Sequence, residues 1–310
     1  MVIVFKFLKR NLFVIVFIIV VFGYVFNGIS KSVNEFQQID KRKENIALKC
    51  ETDLSDENNS YSDNYIKYCE NILSYKDDKF SFYNYLSDMA IEKCGLVVGY
   101  LGLLVVLVPA LYYVCRLLKN GYIVNYLTRK NYLSFLKCLF GKAYRFVWIL
   151  PLIAIIMICV SLKYGVIQNN TNTLTLWMSD ITNNIYLFII LYLISIFMYS
   201  CMFINFGLIV ARYQNNYFLS LVLSYVIFFG LELFLELFSA SGVCNVFFKD
   251  YCGGSFFNIM DAFTFNDAYG VSSVMLFSFV MLVISFVGVF LAYRNQEKLV
   301  IKSERYWRSK

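Results

Sequence analysis

The chain has 310 residues, of which 59% are apolar and 19% aromatic, with a formal net charge of +7, two prolines and no histidine. Its mean hydropathy is +0.60, which excludes an ordinary soluble domain, because such domains carry about 45–50% apolar residues. The sequence also lacks a phosphate-binding loop, a metal-spaced cysteine set and the common hydrolase motifs. We therefore expect an all-α integral membrane protein that is not an enzyme and that holds no cofactor and no metal.

Six windows are apolar and long enough to cross a bilayer, since a span needs about 20 residues at about 1.5 Å each. They cover residues 11–29, 95–115, 146–162, 185–210, 217–238 and 274–293. The first is longer than a signal-peptide core of about 7–15 residues and lacks a clear cleavage site after it, so we expect it to be retained. Only residues 211–216 separate the fourth window from the fifth, which predicts a tight helical hairpin.

The basic residues predict the orientation, because Lys and Arg near the ends of spans resist translocation. With the N-terminus in the cytoplasm, four segments lie inside: 1–10, 116–145, 211–216 and 294–310. They carry 3, 7, 1 and 6 basic residues but only two acidic ones. Both termini are therefore expected in the cytoplasm. The net positive charge indicates orientation in the membrane and not nucleic-acid binding.

A polar segment follows the first window and is expected to form an extracytoplasmic domain over residues 30–94. It holds 9 basic and 13 acidic residues and no Gly or Pro, and its spaced apolar residues predict short helices. The chain thus divides into residues 1–29, with the first span, the outer domain 30–94, and a five-helix membrane region 95–310.

Five cysteines fall in segments predicted to lie outside, where disulfides can form. The favoured pairs are Cys50 with Cys69 and Cys244 with Cys252, which leaves Cys94 unpaired. The alternative is that several stay free, because the chain also uses cysteine as a small apolar residue inside its spans.

Residues 116–145 form a basic, aromatic-rich segment with seven Lys or Arg and no Asp or Glu. Apolar residues recur at helical spacing on both sides of a polar break at 128–131, which predicts two short amphipathic helices. The second has an apolar face through Tyr132, Leu133, Leu136, Leu139 and Phe140. Such a segment would present a shaped surface to a cytoplasmic partner, or would simply lie against anionic headgroups.

The stretch KNGYIVNYLTRKNYLSFLKCLFGKAYR, which runs into a span containing Pro151, resembles the corresponding region of type 2 ABC exporter permeases. In that family this region is the coupling helix, which docks on a separate ATPase subunit. The resemblance implies a dimer with a second permease copy or a related permease, a cytoplasmic ABC ATPase partner and an outer re-entrant loop, here 239–273. The coupling residues implied are Gly121, Arg129, Tyr132, Leu133, Leu136 and Lys137.

The same resemblance places a translocation path at the outer ends of the fifth and sixth spans. Candidate path residues are Glu232, Glu236, Phe247, Phe256 and Phe257. The two glutamates share one helix face and are costly to bury in a bilayer, so they are expected to face a cavity, a partner or water. For Glu236, simple exposure to the outer headgroups is an adequate alternative.

These expectations combine into one functional hypothesis. The chain is expected to be the multi-pass permease subunit of an ATP-driven exporter in a bacterial cytoplasmic membrane, moving a lipid, hydrophobic peptide or amphiphilic drug. The alternative is a non-transporting immunity or sensing protein whose outer domain binds a peptide. The apolar, aromatic composition does not choose among the substrates.

Overall fold

The computed structural model describes residues 2–55, 62–74, 79–119, 126, 129, 131–167, 184–214, 216–240 and 271–294. Over these residues the regular structure is helical, and the single β-type contact is an isolated bridge between Ser81 and Val166. The all-α prediction is confirmed for this part of the chain.

Nine α-helices and two π-helical segments follow one another through the described residues. The helices are α1 (Val2–Ser55), α2 (Asp63–Ser74), α3 (Phe82–Ser87), α4 (Gly102–Lys119), α5 (Tyr132–Tyr144), α6 (Ile149–Tyr164), α7 (Ile185–Tyr213), α8 (Tyr217–Ala240) and α9 (Val271–Tyr293). The π-helical segments, Asp88–Lys93 and Leu96–Tyr100, lie between α3 and α4.

Three helical stretches are long and apolar enough to cross a membrane: Asn11–Ser55, Tyr132–Tyr164 and Ile185–Tyr213. Three further apolar stretches are shorter within the described residues: Gly102–Leu118, Tyr217–Leu231 and Ser278–Tyr293. Each of the six overlaps one of the windows predicted from the sequence. Their length and composition are those of a membrane protein.

The first helix continues far beyond the predicted span. Helix α1 is unbroken from Val2 to Ser55, so the predicted domain boundary after residue 29 falls inside a helix, and residues 30–55 do not form separate short helices. The reason is that this stretch has no Gly or Pro and is rich in Lys, Glu and Gln, which are good helix formers. At about 1.5 Å per residue, α1 is about 80 Å long.

Helix α2 folds back on the distal part of α1 and is joined to it covalently. Cys50 and Cys69 form a disulfide with a Cα–Cα distance of 5.3 Å, which is the pairing favoured from the sequence. The Tyr65 hydroxyl donates to Asp53 Oδ2 at 2.6 Å beside it. Cys94 is unpaired and fully buried.

Helix α7 is at the centre of the bundle and packs against α4, α6, α8 and α9. A Cβ on Gly207 would overlap the Leu107 side chain, so this glycine lets α4 approach α7 closely. A second close approach involves Gly28 of α1 and the π-helical segment Asp88–Lys93. A Cβ added at Gly28 would lie 2.7 Å from Cys94 Sγ and 3.2 Å from the Lys93 carbonyl oxygen.

Gly28→Ala is expected to lower the thermal midpoint of the detergent-solubilised protein. The added methyl group would overpack the contact between α1 and the π-helical segment, which lowers the free energy of unfolding by about 1–3 kcal/mol. The matched control is Gly23→Ala on the same helix, where a Cβ meets nothing within 4 Å. There the replacement should be neutral or stabilising by about 0.5–1 kcal/mol. Fluorescence-detected size-exclusion chromatography after heating measures both, and equal midpoints would contradict this account of Gly28.

Replacing Cys50 and Cys69 by serine is expected to destabilise the α1–α2 pair by about 3 kcal/mol, because the bridge closes a loop of 19 residues and so restricts the unfolded chain. The measurement is limited proteolysis at increasing temperature, with cleavage between residues 55 and 75 as the readout. Serine at Cys159 alone is the control for this cleavage, since Cys159 forms no disulfide and is exposed. Wild-type cleavage rates in the double variant would refute a stabilising role for the bridge.

Candidate functional site

The described residues cover only part of the sites predicted from the sequence. Phe247, Phe256, Phe257, Gly121, Cys244 and Cys252 lie outside them. Glu232 and Glu236 belong to α8 by their backbone, and their side chains are likewise not described. The path residues and the second disulfide therefore stay predictions. The predicted coupling segment, residues 116–145, is described over 116–119, 126, 129 and 131–145.

Helix α5 docks on the bundle through one face and leaves the opposite face open. Phe135, Leu139 and Ala143 are buried, whereas the Leu133 side chain is 70% exposed. Lys137, one turn further on, is also exposed. Leu133 and Lys137 share a face because they are four residues apart on a helix.

The apolar face predicted for α5 is buried only in part, and Leu133 lies outside the buried part. The prediction put Tyr132, Leu133, Leu136, Leu139 and Phe140 together, and four of these do pack toward the core. The centre of the buried face is Phe135 instead, about 200° around the helix from Leu133 at 3.6 residues per turn. The apolar arc of α5 is wider than its buried face, and the packing of the neighbouring helices determines which part of the arc is buried.

Hydrogen bonds attach the start of α5 to the end of α9 and then to α7. The Tyr132 hydroxyl donates to the Tyr293 carbonyl oxygen at 3.0 Å, and the Tyr293 hydroxyl donates to the Leu208 carbonyl oxygen, also at 3.0 Å. The Phe140 ring meets the Tyr293 ring edge-on, with centroids 5.5 Å apart. Tyr132, which was predicted to contact a partner, thus has a role inside the chain.

A buried polar network attaches the end of α5 to α7 and α9. The Tyr144 hydroxyl donates to Asn205 Oδ1, Asn205 Nδ2 donates to Ser285 Oγ at 2.8 Å, and Ser285 Oγ donates to the Leu282 carbonyl oxygen at 2.7 Å. Asn205 is 0% exposed. The sequence reasoning missed this residue, although Asn205 is the one amide side chain in the apolar window 185–210.

A groove of about 1030 Å³ runs between α5 and the C-terminal end of α9. Its lining residues are Asn131, Tyr132, Leu133, Leu136, Phe140, Tyr144, Phe286, Val289, Phe290, Tyr293 and Arg294. The Tyr144 and Phe286 rings stack at one place in its wall, with centroids 6.2 Å apart. We call this the α5–α9 groove.

Among the described residues of α5, α7 and α9 and at the flanking positions Arg129 and Arg294, the charged side chains are all basic. Helices α5, α7 and α9 contain no Asp or Glu. The guanidinium of Arg212 lies 6.0 Å from the Tyr293 ring centroid, and that of Arg294 lies 6.0 Å from the Phe290 centroid. Arg129 is exposed in front of α5. The described part of the coupling segment thus forms a basic surface.

Acidic side chains gather instead beyond the first predicted span. Lys93 Nζ lies 2.5 Å from Glu35 Oε2 and 3.9 Å from carboxylate oxygens of Asp88 and Glu92. The hydrogen bond to Glu35 raises the pKa of Lys93, and burial raises the pKa of Asp88. These contacts hold the π-helical segment Asp88–Lys93 against α1.

Within the described residues, no group of three or more His, Cys, Asp or Glu side chains is arranged to hold a metal ion. No protein-family model matches the chain, and no curated protein or solved structure matches it either.

Tyr144→Phe is expected to destabilise the folded protein by about 0.6–1.7 kcal/mol, the range for interhelical hydrogen bonds in membranes. Asn205→Leu should act on the same network, so a double-mutant cycle between the two is expected to give a coupling energy of similar size. The control is Tyr186→Phe, whose side chain is 75% exposed. Thermal midpoints in detergent provide the comparison, and strictly additive effects would mean that the two side chains do not interact.

Proposed function

We propose that this protein is the membrane permease subunit of an ATP-driven exporter, with six membrane-spanning helices and both termini in the cytoplasm. The observation that supports this best is the docking of α5. One face of this amphipathic helix is buried in the bundle, and the other presents Leu133 and Lys137 to the outside, with Arg129 exposed ahead of it. A helix of this kind suits the transmission of movement from a cytoplasmic subunit to the spans.

The connections of α5 supply a route for that movement. A hydrogen-bonded turn at 145–148 joins α5 directly to α6: the Phe146 amide donates to the Ala143 carbonyl oxygen and the Ile149 amide donates to the Phe146 carbonyl oxygen, each at 3.2 Å. Tyr132 and Tyr144 bond to groups on α9 and α7 at the two ends of α5. A displacement of α5 would therefore move three spans together.

The energy for transport would come from a separate ATPase, because the sequence contains no phosphate-binding loop. The permease would work as a dimer with a second copy or a related permease. Its substrate class is hydrophobic or amphiphilic, with Glu232, Glu236, Phe247, Phe256 and Phe257 proposed along the outer part of the path.

A second function is favoured by the disulfide-linked pair of α1 and α2. Cys50–Cys69 and the Tyr65–Asp53 hydrogen bond give this polar extension a fixed shape, which suits a peptide-binding role in an immunity or sensing protein. In that case the coupling segment would only anchor the chain on the membrane.

Lys137→Glu is expected to reduce co-purification of an ATPase subunit from the native host by about tenfold, because a like charge would face the acidic surface that a basic helix selects. The matched control is Lys163→Glu on α6, since Lys163 is also exposed but lies at the end of α6 far from α5. Both variants keep the buried face of α5 intact, so insertion should be unchanged.

Two results would decide against the exporter. If no ATPase subunit co-purifies with the wild-type protein in mild detergent, the proposed exporter has no energy source. Loss of function on deletion of residues 35–90, with normal function in Lys137→Glu, would favour the immunity or sensing protein.

A further inference from the structure

We infer that the α5–α9 groove binds one anionic phospholipid from the cytoplasmic leaflet, with an acyl chain between the two helices and the phosphate at Arg294. The inference requires α9 to cross the bilayer, as proposed above, but it does not require the protein to be an exporter.

The walls of the groove suit a hydrocarbon chain. Phe140 and the stacked pair of Tyr144 and Phe286 provide ring surfaces, and Val289, also in the wall, is buried. All three tyrosine hydroxyls of the wall already donate hydrogen bonds within the protein: Tyr132 to the Tyr293 carbonyl oxygen, Tyr144 to Asn205, and Tyr293 to the Leu208 carbonyl oxygen. The rings therefore present apolar surface to an occupant. At about 1030 Å³, the groove is at the upper end of the range of about 300–1,000 Å³ that ligand pockets occupy.

The charge of the groove selects the headgroup. Arg294 is exposed and lines the groove one residue beyond α9. Its guanidinium lies over the Phe290 ring at 6.0 Å, which holds it at the end of the α9 wall. No Asp or Glu occurs in α5, α7 or α9, and among the described residues none forms an ion pair with Arg294. A guanidinium binds phosphate through two parallel hydrogen bonds, so a phosphodiester fits this position.

The open side of the groove is continuous with a surface that faces lipid. Phe286 is 45% exposed and Phe290 64% exposed, and the neighbouring Val287 and Leu291 are exposed as well. On a helix that crosses a bilayer, such side chains contact acyl chains. A lipid can therefore enter the groove laterally from the membrane. Its headgroup would lie at the depth of Arg294, because basic residues at the end of a span lie near the membrane surface.

Native mass spectrometry of the purified full chain with equimolar phosphatidylglycerol and phosphatidylcholine tests the proposal. Wild type should retain one phosphatidylglycerol about fivefold more tightly than phosphatidylcholine, and Arg294→Gln should abolish this preference. The matched control is Arg145→Gln, an exposed basic residue outside the groove, which should keep the preference. Leu136→Trp, which fills the groove, should reduce the retention of both lipids.

Three results would overturn the proposal. Equal retention of the two lipids by wild type would show that Arg294 selects no headgroup. An equal loss in Arg294→Gln and Arg145→Gln would show that the lipid follows overall surface charge. Uptake only after removal of residues 295–310 would show that the groove is occupied by the chain's own terminus. Each result is independent of ATPase co-purification, so failure here and failure of the exporter proposal are distinguishable.

Discussion

The arrangement of the bundle depends on the requirement that a polar group buried among apolar helices finds its partner inside the protein. Asn205 has no exposed surface and uses both ends of its amide, accepting from Tyr144 on α5 and donating to Ser285 on α9. Because the amide lies on the central helix α7, these two bonds determine how α5 and α9 sit around it. An apolar residue there would leave the positions of the two helices to packing alone.

The docking of α5 in turn creates the two surfaces on which function is proposed. Since Phe135, Leu139 and Ala143 face the bundle, Leu133 and Lys137 must face away from it, where the proposed ATPase subunit would bind. Helix α5 contacts α9 through the hydrogen bond from Tyr132 to Tyr293 and through the ring pairs Phe140–Tyr293 and Tyr144–Phe286. The α5–α9 groove is the space left along this contact, so a lipid in it would touch the helix that is proposed to couple transport to ATP hydrolysis.

The long α1 separates this basic region from the acidic one. Its continuous helix carries the chain from the first predicted span to the disulfide at Cys50. The π-helical segment is fixed to it by the close approach at Gly28 and by Lys93, which lies between Glu35 and Asp88.

The sequence by itself determined that the protein is helical and apolar, where the apolar windows lie, and which cysteine pair was favoured near α2. These properties depend on local composition and spacing, which act within about 20 residues. It also indicated an amphipathic helix at 132–144, but not which part of its apolar arc packs against the other helices.

Only the tertiary structure decided which arc of α5 is buried, that α1 continues to Ser55, and that Asn205 links three helices. Helical periodicity gives the angles between side chains but not the direction from which neighbouring helices pack. The partners of Asn205 are 61 and 80 residues away in the chain, so no local pattern contains them.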